Sequence, residues 1–223
     1  LGFLPDFLNG LLDALGSFSV ALFSVVFISF FLLKDSELLQ RILFIFIKEE
    51  YHQRIQKSFE SIKNLLSRYF IGLLMQITIL LVIYTIVLAI FGIKNAFIIA
   101  FLCALLNLIP YIGPIFGGIL MIVLTLTNDF DLNFSAEILP NVLGVAIGFT
   151  IGQLVDNFFS QPFIFSRSVK SHPLEIFFVI LACGSLFGAV GMIVAIPLYT
   201  ALKVILKEFL SENKIVQSLT KDL

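Results

Sequence analysis

Charge is scarce in this sequence. Only 13% of its 223 residues are Asp, Glu, Lys or Arg, about half the share of an ordinary soluble domain, while 59% are hydrophobic. So much apolar surface cannot all be buried in one core of this size, which excludes a soluble globular domain and leaves lipid to cover the excess. The formal net charge of −1 gives no electrostatic case for a nucleic-acid partner. Cysteine is nearly absent. Cys103 and Cys183 stand in apolar stretches with no CxxC partner and no His at metal spacing, so they read as buried thiols, and neither a metal nor a cofactor is implied. The GxSxG, HExxH and paired-carboxylate patterns are missing as well, which argues against an enzyme. Without a Walker A motif, energy for any transport has to come from an ion gradient or from the solute's own gradient. The sequence opens at Leu1 without a charged region and cleavage site, so no signal peptide is expected and the chain reads as a fragment lacking its natural start.

What is present is a series of apolar runs. Residues 17–33 are just long enough to cross a bilayer of about 30 Å at about 1.5 Å per residue. Residues 69–91 and 140–160 form two further spans. Between the first two lies the polar stretch 34–68, whose apolar residues (Leu39, Ile42, Phe46, Tyr51, Ile55, Phe59, Ile62, Leu66) recur mostly three or four apart. That pattern predicts an amphipathic helix, or two helices joined near Lys48, and Glu50/Arg54 form an i,i+4 pair on the other side. Two remaining runs, 96–127 and 176–206, are too long for a simple crossing, and each carries a weak centre. The first reads NLIPYIGPIFGG from Asn107 to Gly118; the second reads GSLFGAVG from Gly184 to Gly191, followed by Pro197. Two prolines and three glycines in twelve residues cannot continue a regular helix.

The placement of charge decides how these two runs sit. If each enters and leaves on one side as a hairpin, then 34–68, 161–173 and the end of the chain from Lys203 share a face that holds every Lys and Arg except Lys94. A single crossing per run would move Arg167 and Lys170 to the other side. Arms of about 12 to 15 residues are short for full crossings. The positive-inside rule therefore predicts re-entrant hairpins with the basic face cytoplasmic. The expected fold is all-α and transmembrane: an N-terminal segment with the first span (1–33), a cytoplasmic amphipathic arm (34–68), a span plus hairpin (69–127), a second span plus hairpin (140–206), and a cytoplasmic tail (207–223). The two hairpins enter from opposite faces as an inverted repeat, with tips that read alike and meet. Such repeats with discontinuous helices mark secondary transporters, whose sites lie between broken tips near the midplane.

Polar residues in this frame are the candidates for function. Gly144, Gly148 and Gly152 form a small-residue stripe for close helix packing, or a smooth face for a sliding domain. Gln153, Asp156 and Asn157 follow at i, i+3, i+4, which puts them on one helical face. Asp156 stands well inside an apolar span, where a carboxylate is expensive; it either serves the transported species or anchors against Arg167 or Lys170. Asn107 and Ser185 precede the two breaks, where each caps a helix end and can also touch solute. Pro110, Gly113, Pro114, Gly188 and Gly191 shape the tips. Arg167, Lys170 and His172, in the loop before the second hairpin, either gate an anionic solute or simply satisfy the positive-inside rule.

The strings IPYIGPIFGG, QLVDN, QPFIFSRSVKSHPLEIFF and GSLFGAVGMIVAIPLYTALKVILKE, in that order, resemble the autoinducer-2 exporter family of bacterial membrane proteins. The resemblance runs from about Phe27 to Glu208. It implies a polytopic transporter of the prokaryotic inner membrane that exports a small hydrophilic quorum-sensing signal. It also implies elevator-like movement, a homo-oligomer (a pentamer), and further N-terminal spans that the given sequence does not include. Some members of the family are described instead as sodium or lithium/proton antiporters, so Na+ or H+ joins the solute as an implied partner. Two positions depart from the family pattern: Leu120 stands where a proline is usual, and Gly72 is followed by Leu73, with Gln76 a turn later. A non-transporting scaffold, recruiting partners through 34–68, is the reading from a different class.

Overall fold

The computed structural model describes residues 3–35, 37–127, 138–161 and 171–210, with 216, 217 and 220; side chains of 3–18 and of 39 are outside it. The described residues are helical with no strand. The chain divides into two compact units, 1–56 and 57–223.

In the first unit, α1 (Phe3–Lys34) presents Val20, Phe23, Phe27 and Phe30 outward. Large apolar side chains exposed along a helix are stable only where lipid covers them. Helix α2 (Leu38–Phe46) stops at Ile47 and Lys48, both extended, and a 3-10 turn (Glu49–Tyr51) follows. The His52 ring stacks on Phe44 across this break at 4.4 Å and hydrogen-bonds the Ile47 carbonyl, at 3.0 Å. Helix α3 (His52–Ile90) then runs on through Arg68 and Tyr69, so residues 52–68 of the polar stretch continue into the following span as one helix.

The second unit packs the remainder of α3 against α4 (Ala96–Leu106), α5 (Ile112–Leu126), α6 (Leu139–Val155, continued by a π turn, Asp156–Ser160) and α7 (Pro173–Phe209). Among the described residues three helical runs, 49–90, 139–160 and 173–209, are long and apolar enough to cross a membrane by length and composition. The last is bent. Gly188 has φ 63° and ψ −148°, outside any helix, and the arms on either side fold back on each other. Lys203 on the return arm reaches Glu175 on the outgoing arm, and a Cβ on Gly191 would overlap the Cys183 carbonyl. α4 and α5 form the other helical hairpin, the first in chain order, around Asn107–Tyr111. There Gly113 lies so close to the Leu106 carbonyl that no side chain would fit, and Tyr111 takes φ 66°.

Two apolar clusters hold the unit together. One joins Leu80, Tyr84 and Leu88 of α3 to Ala100, Cys103, Met121 and Val145. The other joins Tyr69 and Leu73 to Ile176, Ile180, Ala195 and Ile196, with Leu108, Ile109 and Ile112 of the first tip packed on it. The first tip therefore meets the flank of the second hairpin, with Tyr111 edge-on to Phe177 at 5.8 Å. It does not meet the second tip, where Leu186, Phe187 and Val190 are exposed. The physical reason is apolar matching. The first tip carries its Leu and Ile residues beside the break, and the wide apolar surface available to them lies along the arms.

The glycine stripe of α6 serves packing. A Cβ at Gly144, Gly148 or Gly152 would collide with Phe91, Val87 or Tyr84 respectively, so α3 sets three side chains into three notches of α6.

Candidate functional site

A buried stripe on α3 (Tyr69, Leu73, Gln76, Leu80, Tyr84, Leu88) recurs every three or four residues. Its polar members, Gln76 and Tyr84, are anchored by the end of α6 and the first break. Gln153 donates one amide hydrogen to the Tyr84 hydroxyl (2.7 Å) and the other to Asn107 Oδ1 (2.9 Å). Asn107 in turn donates to the Cys103 carbonyl (2.8 Å), satisfying a backbone acceptor left over where α4 ends. Three elements are thereby tied through one glutamine.

One turn further along, Asp156 has no solvent exposure at all. Its Oδ2 accepts from Gln76 Nε2 (3.0 Å) and from Gln161 Nε2 (3.2 Å), and Gln161 also donates to Asn157 Oδ1 (2.8 Å). Its Oδ1 has no partner among the described residues. The partners are neutral amides, so no described cation neutralises the carboxylate at hydrogen-bond distance. Asp156, Gln76, Asn107 and Gln161 line one narrow cavity with Tyr69, Leu73, Pro110 and Pro114. With a volume of about 10 Å³, it has room for roughly one water or one small cation. The two prolines that interrupt the helix form part of its wall.

Of the residues singled out from sequence, Asn107, Gln153 and Asp156 come together here, with Pro110 and Pro114. Gly113 acts one step back, permitting the tight first turn of α5. Asn157 turns outward and is exposed, because the π turn breaks the regular spacing that would have aligned it with Gln153. Ser185 is exposed at the second tip, Gly188 sets the bend there and Gly191 lies between the arms; none of the three lines the cavity. His172 caps α7 by accepting the Leu174 amide at 3.2 Å. Arg167 and Lys170 lie outside the described residues. Gln76, Tyr84 and Gln161 were not singled out as site residues. The available signal for the first two was an amide and a phenol eight residues apart on one face of an apolar span.

Comparison with known proteins places this geometry. The profile described as "AI-2E family transporter" matches residues 3–211. A Bacillus subtilis protein named "Putative transport protein YrrI" is 31% identical over 94% of this chain and 56% of its own length. A second from the same organism, YueF, of the same description, is 28% identical over 88% of this chain and 51% of its own length. The chain thus spans about half the length of the curated relatives it matches. On the match over nearly its whole length, the chain belongs to the AI-2E transporter family.

Proposed function

We propose that this chain forms the hairpin-bearing part of a secondary transporter that moves a small hydrophilic molecule across the prokaryotic inner membrane. The observation that carries the reading is Asp156, a fully buried carboxylate with one oxygen unpartnered among the described residues, in a cavity walled by a broken helix. A carboxylate at such depth is costly unless it serves the transported species. Broken helices supply the spare backbone groups that hold polar cargo. The cargo is an autoinducer-2-like polar signal, the hairpins are re-entrant in opposite senses, and the arm 34–68 and the tail 207–223 are cytoplasmic. The assembly is a pentamer whose hairpin-bearing parts move in elevator fashion.

A second reading has its own support. The cavity admits about one water-sized group, which suits a sodium, lithium or hydrated proton better than an organic solute, so Asp156 would be the titrating group of a cation/proton antiporter. Purified full-length protein in proteoliposomes separates the two. Autoinducer-2 flux without cation dependence supports the first reading, and an internal pH change on adding sodium or lithium supports the second. Asp156→Asn and Asn107→Ala should impair whichever activity is found, and wild-type activity in both variants would overturn the site assignment. If the protein produces neither flux nor pH change, a scaffold built on 34–68 becomes the better account.

A further inference from the structure

A polar groove in the second unit lies away from Asp156. It is lined along one face of α3 by Lys57, Ser61, Asn64 and Arg68, and on the opposite wall by Lys207 and Glu208 near the end of α7, with a volume of about 460 Å³. Arg68 immediately precedes Tyr69, where the apolar span begins, so the groove opens at the level where headgroups meet hydrocarbon. Asn64 and Arg68 are one helical turn apart, and Lys57 stands about 16 Å further along the same helix, a gap that long basic side chains narrow from both ends. Lys57 and Arg68 are exposed and make no ion pair among the described residues, whereas Glu60 in the same wall is already engaged. Glu60 and Glu208 share the groove with Lys57, Arg68 and Lys207, so basic side chains outnumber acidic ones in its lining. A guanidinium, an amide and a hydroxyl on one helix face provide a charge and several directed donors, which is the chemistry of a phosphate site.

We infer that this groove binds a phosphate group, held by Arg68 and Asn64 at the bilayer end with Lys57 and Ser61 beyond it. The nearest abundant source is the headgroup of an anionic phospholipid, since basic pockets between helices at the cytoplasmic surface collect such headgroups. A soluble phosphate compound has the same chemistry.

The test uses the full-length protein, released from micelles containing equal dioleoyl phosphatidylglycerol and phosphatidylcholine and examined by native mass spectrometry. Phosphatidylglycerol should be retained in clear excess. Each cation near an anionic surface is worth about fivefold in binding, so Lys57→Gln/Arg68→Gln should lower that excess by about thirtyfold. Arg54→Gln/Lys63→Gln removes the same charge outside the groove and should leave it unchanged. Inorganic pyrophosphate in pure phosphatidylcholine micelles forms the second arm. Pyrophosphate binding that is lost in Lys57→Gln/Arg68→Gln, with no lipid preference, identifies a soluble phosphate as the occupant. Equal retention of the two lipids without pyrophosphate binding would overturn the inference, as would equal losses in the two double variants. Failure at this groove leaves the Asp156 site untouched, because no lining residue is shared.

Discussion

Replacing Asp156 with Asn removes one charge and little else. The side chains are nearly isosteric, and an Asn oxygen placed where Oδ2 lies would still accept from Gln76 and Gln161. Its amide nitrogen would occupy the position of Oδ1, where it loses no partner but meets no acceptor among the described residues, at about 1–3 kcal/mol. Downgrading two charge-assisted hydrogen bonds to neutral ones costs about 1 kcal/mol each. Against that, a buried carboxylate with no counter-charge among the described residues carries a desolvation penalty of several kcal/mol that the amide does not. The variant should therefore assemble as well as the wild type and unfold at about the same temperature. Function should move the other way. If the transported cation, proton or hydroxyl-bearing solute is held by the charge, losing a contact worth about 1.5–3 kcal/mol lowers flux by roughly ten- to a hundredfold. Asp156→Ala provides the contrast, because it leaves two buried amide donors without an acceptor at about 1–3 kcal/mol each and should destabilise the fold. The assay is initial-rate flux in proteoliposomes, paired with thermal unfolding followed by size-exclusion chromatography. Wild-type flux in Asp156→Asn, or collapse of its assembly comparable to Asp156→Ala, would refute the reasoning.

Other substitutions follow from the same geometry. Gly148→Leu drives a side chain into Val87 and should cost about 1–3 kcal/mol by overpacking, read as a drop of several degrees in Tm. At Gly188 a Cβ would meet open space, but φ 63° with ψ −148° is a backbone region essentially reserved for glycine, so Gly188→Ala should cost about 1–3 kcal/mol of strain in the same thermal assay, and Gly188→Asn, which suits only the left-handed helical region, should not recover it. Gln153→Leu deprives Tyr84 and Asn107 of their shared donor; flux should fall more than Tm, because the apolar contacts of Tyr84 remain. Lys203 is buried, whereas Glu175 is partly exposed, so Glu175→Gln should be the more damaging half of that pair: it strands a buried ammonium, while Lys203→Met leaves a carboxylate that water can reach. Denaturation midpoints of the two single variants and the double variant would check the order.

The helical, membrane-embedded class was legible from composition and run length, and the broken centre of 96–127 was legible from Pro110, Gly113 and Pro114. Those features are local, since each follows from the conformational limits of a few neighbouring residues. Asp156 stood out because a carboxylate in an apolar span announces its own cost. Its partners did not. Gln76 lies eighty positions away and Tyr84 looks like ordinary aromatic core; only packing α3 into the notches of α6 brings them to the site. The π turn at Asp156–Ser160 was equally invisible, and with it the separation of Asn157 from Gln153. Pairing the two tips by their similar strings failed for a related reason. Similar breaks fix similar turns, but the surface against which a tip rests is set by apolar residues along the whole hairpin.

The packing also bears on which parts can move relative to one another. An interface that slides needs a smooth face, and Gly144, Gly148 and Gly152 could have supplied one. Instead Phe91, Val87 and Tyr84 occupy the three notches, so shifting them along α6 by even one residue would drive them out of the notches and against the larger side chains between the glycines. Gln153 bridges α3, α6 and the end of α4, and Gln76 joins α3 to Asp156. The polar groups that would hold cargo are thus cross-linked to one another rather than divided between two bodies. Any elevator movement must then carry α3, α6 and the first hairpin together, with the site intact, and the moving boundary must fall elsewhere. Paired cysteines at Val87 and Gly148 would test this, because a cross-link across an interface that never slides should leave flux near that of the reduced protein. Complete, reversible arrest on oxidation would place the sliding boundary between α3 and α6 after all.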